Sequence, residues 1–486
     1  MPTHAPSRGR LLCALVVLAV LTETAPLEIS LIYPAGHAIG AEFGTAGADA
    51  VTASVSLAAV VSIPLLGRLA DVIGKKRVLL GASAVFAVGA LVSATAPNLP
   101  LLLLGRVLQG AVGGLLAVAY AYVREVFPAR QVPLAIGAVA TGIGVSGVSA
   151  PFLAGWLVDA YGYRGVFWFL FLLVLVASAV AAAVLPRDVG PQVAHSVRRL
   201  DIPGALLLGL AAAALVSGVG SAVRQGVVSP AFLGAVLLGV LLAVAFWRRE
   251  RGRPDAAVDL ALFRVPVLRQ VLLASLLTST LTATVGYLLP QLLQTPRHDG
   301  LGYAFGLSVL GAALWTFPQG LATFVAGPAG GLLSRDRSPR AVLLTAQVLL
   351  VAAAAALATI PGGRAEVMFL AALFGLGIGL SYVAGANLVT DAVPAERAAT
   401  GTGLLAVANQ LGAAIGASGV AALRTLEPVG GGNGSYAAAG YTTAFLTAAA
   451  AGTAALLITV AMRHGRGPAS GGAPAHPAPP SLKESL

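Results

Sequence analysis

Apolar runs recur along the chain, each separated from the next by a short polar or charged stretch. A helix needs roughly 20 apolar residues to cross a bilayer, and runs of that order cover about 11–39, 50–67, 78–97, 99–123, 131–158 and 165–186. A pair at 202–223 and 227–247 follows, bracketed by the charged stretches 187–201 and 248–269. Six more lie at about 270–296, 300–334, 341–363, 367–390, 398–423 and 436–462. These lengths suit helices rather than barrel strands, and a backbone in lipid must satisfy its own hydrogen bonds. The pattern predicts an all-α integral membrane protein of about fourteen transmembrane helices. Its expected parts are an N-terminal six-helix half (1–186), a cytoplasmic loop plus inserted helix pair (187–264), a C-terminal six-helix half (265–462) and a disordered cytoplasmic tail (463–486) rich in Pro, Gly, Ala and Ser.

The polar stretches carry a repeat. Residues 67–80 end in Lys76, Arg77, Val78, Leu79 and Leu80, and 331–344 end in Arg340, Ala341, Val342, Leu343 and Leu344, an offset of 264. The run 125–130 is echoed by 391–397 at an offset of 266. The matching residues are loop charges and prolines rather than helix filler, so the expectation is two parallel halves around a midplane cavity, a transporter architecture.

Charge sets the orientation. With an N terminus in the cytoplasm, twenty-four of the thirty Lys and Arg fall on the cytoplasmic side, five outside (Arg164, Arg224, Arg297, Arg364 and Arg424), and Arg106 within the membrane. Both termini are therefore expected in the cytoplasm of a multi-pass protein of the cell membrane, with a bacterial inner membrane suggested by the Arg, Ala and Gly bias. The net charge of +11 is accounted for by this asymmetry and calls for no nucleic acid. Charged residues make up only 10% of the chain and apolar ones 57%, which excludes a water-soluble globule. One cysteine and six scattered histidines give neither a disulfide framework nor a metal site. No phosphate-binding Gly-rich loop ending in Gly, Lys and Ser or Thr is present, which argues against an ATP-driven pump. Neither an enzyme nor a cofactor is expected, because no nucleophile and base, and no clustered acids, gather at a helix mouth.

Several motifs then carry a resemblance. Gly67, Arg68, Leu69, Ala70, Asp71, Val72, Ile73, Gly74, Lys75, Lys76 and Arg77 closely resemble the loop signature between helices two and three of the major facilitator superfamily, departing at Val72, where a basic residue is usual. The resemblance implies a conformational latch built from Gly67, Asp71, Gly74, Lys76 and Arg77. In the second copy Arg335 stands at the position of the Asp. Arg106 with Gln109 resembles the family's membrane-embedded basic motif. Gly147, Pro151 and Gly155 resemble the helix-five motif that marks antiporters, with Ala150 and Ala154 in place of glycines. The runs 198–204 and 258–264 flanking the inserted pair look like the fourteen-helix drug:proton antiporter branch, although 163–167 keeps Arg164 without the usual flanking tryptophans. What this implies is a secondary active transporter, proton-coupled, that expels amphipathic drug-like or secondary-metabolite compounds by alternating access. The alternatives are a proton-linked importer of a small nutrient and a non-transporting membrane sensor. The expected partners are a small-molecule substrate, protons and the lipid bilayer, with the chain a monomer.

Cost identifies the coupling residues. Charges inside a membrane are retained where they face a cavity or a partner, and the first run contains Glu23 and Glu28 while the fourth contains Arg106. Glu28 is the expected proton carrier. Glu23 lies five residues away, about 140° around a helix, so the two cannot both point squarely into one cavity, and Pro26 between them can bend the helix. Gln109, Asn387, Asn409 and Gln410 are the polar candidates for the substrate cavity. For Asn387, Asn409 and Gln410, hydrogen bonding between helices is the commoner role, and the glycines around them, Gly401, Gly403, Gly412 and Gly416, read as packing.

Overall fold

The structure is a computed structural model describing residues 8–127, 132–186, 201–226, 228–251, 253, 260–295, 305–360, 362–393, 398–424 and 438–466. Among these the regular elements are helical: α1 (Arg8–Phe43), α2 (Thr45–Ile73), α3 (Lys75–Thr95), α4 (Leu99–Gln109), α5 (Leu115–Val126), α6 (Val132–Val184), α7 (Ile202–Gln225), α8 (Pro230–Glu250), α9 (Pro266–Gln294), α10 (Val309–Asp336), α11 (Pro339–Leu357), α12 (Arg364–Ala392), α13 (Ala398–Arg424) and α14 (Ala438–Ala461). A 3-10 turn, Gly110–Gly114, joins α4 to α5, so the two make one path.

Local chemistry sets many of these limits. Asn98, Asp201, Ser229, Ser308 and Ser338 cap the helices that follow them by accepting a backbone N–H three residues on, and Pro occupies the first turn of α4, α7, α8 and α11. Gly74, at φ 98°, separates α2 from α3, a conformation that a Cβ disfavours. Gly162, at φ 68°, breaks α6 in the same way. Prolines inside helices, such as Pro26 and Pro34 in α1 and Pro318 and Pro328 in α10, are tolerated where neighbouring groups take up the freed carbonyls.

Twelve of the described helical segments are long and apolar enough to cross a membrane, against about fourteen expected. Two features account for the difference. Residues 145–184 count once although Gly162 breaks them, and α13 is not among the twelve. The expected tail is outside the described residues from 467 onward, as is most of the loop 187–201.

Buried side chains form one large cluster from Ala14 to Leu185, two more spanning 281–449 and 246–462, and a small one that joins Ala59, Val60 and Ile63 to Ala212 and Val407. Helices α1 to α6 pack chiefly on one another, as do α9 to α14; α6 with α10 and α2 with α13 join the two sets. The inserted helices pair with each other, and α7 leans on both α2 and α13, across that seam. Most of α8 faces outward, with Leu237 and Leu241 exposed, as a lipid-facing helix should be.

The repeat reappears as contacts. Lys76, in the first turn of α3, donates to the carbonyls of Ala182 and Leu185 at the end of α6, at 2.9 and 2.5 Å. Arg340, 264 residues later in the first turn of α11, donates to the carbonyls of Thr459 and Val460 at the end of α14, at 3.0 and 2.6 Å. Both place a cation against the orphan carbonyls and negative dipole of a helix C-terminus. Likewise Ser62 of α2 donates to the Gly110 carbonyl at 2.7 Å, and Thr323 of α10 to the Gly375 carbonyl of α12 at 3.0 Å.

Candidate functional site

Close helix packing brings the buried charges together. A Cβ on either Gly89 or Gly105 would meet the other's carbonyl oxygen at 2.6 Å, so α3 and α4 touch backbone to backbone. That contact seats Arg106 and Gln109 in the interior, 1% and 0% exposed. Arg106 Nε donates to the Val51 carbonyl of α2 at 3.0 Å, and its guanidinium also bonds the Gln109 side-chain oxygen. It forms an ion pair with Glu28 of α1, which is fully buried. Gln109 Nε2 reaches Ser93 Oγ at 3.4 Å, and the ring of Phe167 lies 5.7 Å from the guanidinium carbon. Groups from five helices, α1 to α4 and α6, thus gather around one ion pair. Removing one partner of such a pair leaves an uncompensated buried charge, which costs about 3–5 kcal/mol in soluble proteins.

Glu23 stands apart. It is half-buried, and Ser146 of α6 donates its hydroxyl to it. The predicted separation of the two glutamates around α1 therefore holds, with Glu28 turned to α4 and Glu23 to α6.

The remaining candidates divide. Asn409 of α13 accepts a hydrogen bond from Ser279 of α9 at 3.0 Å and lines a pocket with residues of α9 and α12. Gln410 and Asn387 are half-buried and lie outside that lining. Of the latch residues, Gly67 and Gly74 sit at the end of α2, while the side chain of Asp71 is outside the described residues. Lys76 holds the end of α6, and Arg77 donates to the Ile73 carbonyl at 3.4 Å. Lys75 pairs with Glu125 at 2.7 Å. These contacts lie within α1 to α6, and Asp336 and Arg335 of the second copy have side chains outside the described residues.

Gly147, Pro151 and Gly155 lie on the stretch of α6 that faces α10. A Cβ on Gly155 would meet Leu310 Cα at 2.6 Å, and one on Gly320 would meet the Gly147 carbonyl oxygen at 2.2 Å. Phe152 and Phe317 meet edge to face across the same seam, 5.4 Å between centroids. Polar bridges tie the two sets at the end away from Lys75 and Lys76. Tyr287 donates to Asp49 at 2.8 Å, Gln294 to the Pro34 carbonyl at 3.2 Å, and the Leu310 amide to Asp159 at 3.4 Å.

Sequence reasoning missed Ser93, Ser146, Tyr287 and the Val51 carbonyl, because a hydroxyl or a backbone oxygen in an apolar helix carries no signal of its partner. It also passed over the hydroxyls of α9, whose signal was present. Ser275, Thr278, Ser279 and Thr282 recur at intervals of three and four, which puts them on one face.

The family model described as Major Facilitator Superfamily matches residues 13–417. Among curated relatives, the chain is 28% identical over 429 residues to the multidrug resistance protein B homolog of Mycobacterium tuberculosis, covering 85% of this chain and 76% of that protein. It is 26% identical to the tetracenomycin C resistance and export protein of Streptomyces glaucescens, at the same coverage. It is 31% identical to the uridine/deoxyuridine transporter of Lactococcus lactis, covering 67% of this chain and 68% of that one. In fold it resembles a crystal structure of the peptide transporter POT in complex with sulfate, with a TM-score of 0.65 at 15% identity over 92% of this chain and 94% of the other. With that model matched over most of its length and twelve membrane-length apolar helices among the described residues, this chain is a multi-pass membrane transporter of the major facilitator superfamily.

Proposed function

We propose that the chain is a proton-coupled exporter of amphipathic drug-like or secondary-metabolite compounds, working by alternating access between two six-helix halves. The observation that carries this reading is the Glu28–Arg106 ion pair, fully buried among apolar helices. An ion pair so costly is retained where it works. A proton arriving at Glu28 competes with Arg106 for the carboxylate, and loss of the pair loosens the tie between α1 and α4. Arg106 then retains the Val51 carbonyl and Gln109 as its partners. Binding of substrate in one state and protonation in the other biases a two-state equilibrium, which is all that coupling requires.

The division into halves at 1–186 and 265–462, with the pair at 202–250 inserted, is supported by the Lys76 and Arg340 contacts recurring at the repeat's own offset. The basic loops put the Lys75 end and both termini in the cytoplasm. On that orientation the Asp49, Pro34 and Asp159 bridges lie on the outer side. Glu23, on the α6 side, is a second proton station, and the monomer holds all these parts.

The multidrug and tetracenomycin relatives favour export. The uridine/deoxyuridine relative is the observation that favours the second reading, import of a small nutrient. A substrate panel in susceptible cells expressing the chain separates them. Export predicts lower accumulation of at least one toxic amphipath, restored to the level of cells lacking the chain by a proton uncoupler. Raised accumulation of a nutrient, collapsed by the uncoupler, indicates import instead.

A further inference from the structure

We infer that the pocket between α9, α12 and α13 takes the uncharged, hydroxyl- and carbonyl-bearing part of the substrate, so that the cargo is a neutral polar amphipath and not an organic cation. This assignment rests on the transport reading above and adds its chemistry.

The pocket is lined by Ser275, Thr278, Ser279, Ser381, Tyr382 and Asn409, with Leu343 and Leu405 as apolar wall. Among the described residues, no Asp, Glu, Lys, Arg or His lines it. A cation entering it would lose its water without meeting a counter-charge, a cost that neutral polar groups avoid. The fully buried carboxylate of Glu28 is already engaged by Arg106.

The hydrogen-bonding capacity of the walls has a definite sense. Thr278 donates to the Ala274 carbonyl at 2.8 Å, Ser381 to the Ile378 carbonyl at 2.8 Å, and Ser279 to Asn409 Oδ1 at 3.0 Å. With their protons so used, Ser279 and Ser381 present oxygen lone pairs, which accept from a ligand's O–H or N–H. Asn409, its oxygen occupied by Ser279, presents its amide N–H groups to a ligand carbonyl. Tyr382 adds a hydroxyl to the lining and is 55% exposed. A side chain in that position is available to stack on a planar ring.

The test is equilibrium binding to the purified full-length protein in lipid nanodiscs, without any gradient. The neutral probes are radiolabelled chloramphenicol, uridine and emodin, and the permanent cations are tetraphenylphosphonium and ethidium. At least one neutral probe should bind saturably and more tightly than either cation. Tyr382→Phe, which keeps the ring and removes a single hydroxyl, should weaken it about threefold to tenfold, the range expected for one hydrogen bond. Asn409→Ala should weaken it about tenfold or more. Absence of saturable binding by all three neutral probes, tighter binding of a cation, or unchanged affinity in both variants overturns the assignment. Efflux that persists in vesicles alongside any of these outcomes removes the pocket and leaves the transport reading standing. Binding that follows expectation in a protein without transport does the reverse.

Discussion

At the level of single residues, burial separates the charges that work within the membrane from those that orient the chain. Glu28 and Arg106 were both legible as costly charges in apolar runs, yet their pairing was not, because the two are 78 positions apart and only the contact of Gly89 with Gly105 brings α4 to the right depth. The antiporter-like glycines show a similar limit. Sequence marks Gly147 as a motif residue, but it is Gly320 whose Cβ would strike backbone, at 2.2 Å from the Gly147 carbonyl oxygen, whereas a Cβ on Gly147 would find only Gly320 Cα at 4.0 Å. Gly320→Ala is therefore expected to force α6 from α10, lower thermal stability in detergent by the equivalent of about 1–3 kcal/mol, and reduce transport. Gly147→Ala should be near neutral in both measurements. Equal losses in the two variants would show that the seam is not set by this contact.

Among the helices, boundaries followed from caps and glycines, and the apolar runs of roughly 20 residues were visible without any structure. Two things were not. One was where the fifth and sixth runs divide, since within α6 Gly162 alone makes the break. The other was how the inserted pair is fastened. Asp201, read as part of a branch signature, caps α7 through the Gly204 amide at 3.1 Å and is bridged by Arg249 from the end of α8 at 2.7 Å. Arg253 stands 3.6 Å from its other oxygen, and a Cβ on Gly204 would collide with both the Asp201 and Glu250 carboxyls. Burial opposes ionisation of Asp201, but the hydrogen bonds from Arg249 and the Gly204 amide prevail and hold its carboxyl below the usual carboxylate range. A carboxyl with a depressed folded-state value stabilises the protein above its unfolded value, near 3.9 for Asp, and that stabilisation is lost as pH falls through the folded value. Asp201→Asn should accordingly lower thermal stability at pH 7, and the gap between variant and wild type should close only in acid, below about pH 4. A gap that persists unchanged at pH 3 would assign the effect to packing and not to charge.

For the molecule as a whole, two helix sets with a pair between them in sequence were readable from hydropathy, loop charge and the repeat at 264, whereas the way α7 leans on α2 and α13 was not. The repeat works as evidence because its matching residues do the same job twice, with Lys76 and Arg340 each clasping the last turn of the sixth helix of its own set. The outer-side bridges were not readable, since Asp49, Tyr287 and Gln294 match nothing periodic, and partners more than 200 residues apart meet only in the fold. What joins these scales is the claim that a proton and Arg106 contend for Glu28, and that this contest drives export. Substrate uptake into inside-out vesicles under an imposed pH gradient, acid inside, measures it most directly, with Glu28→Gln compared at equal inserted protein. The account predicts gradient-driven uptake in the wild type, its loss in Glu28→Gln, and only partial loss in Glu23→Gln. Full gradient-driven uptake by Glu28→Gln would contradict it.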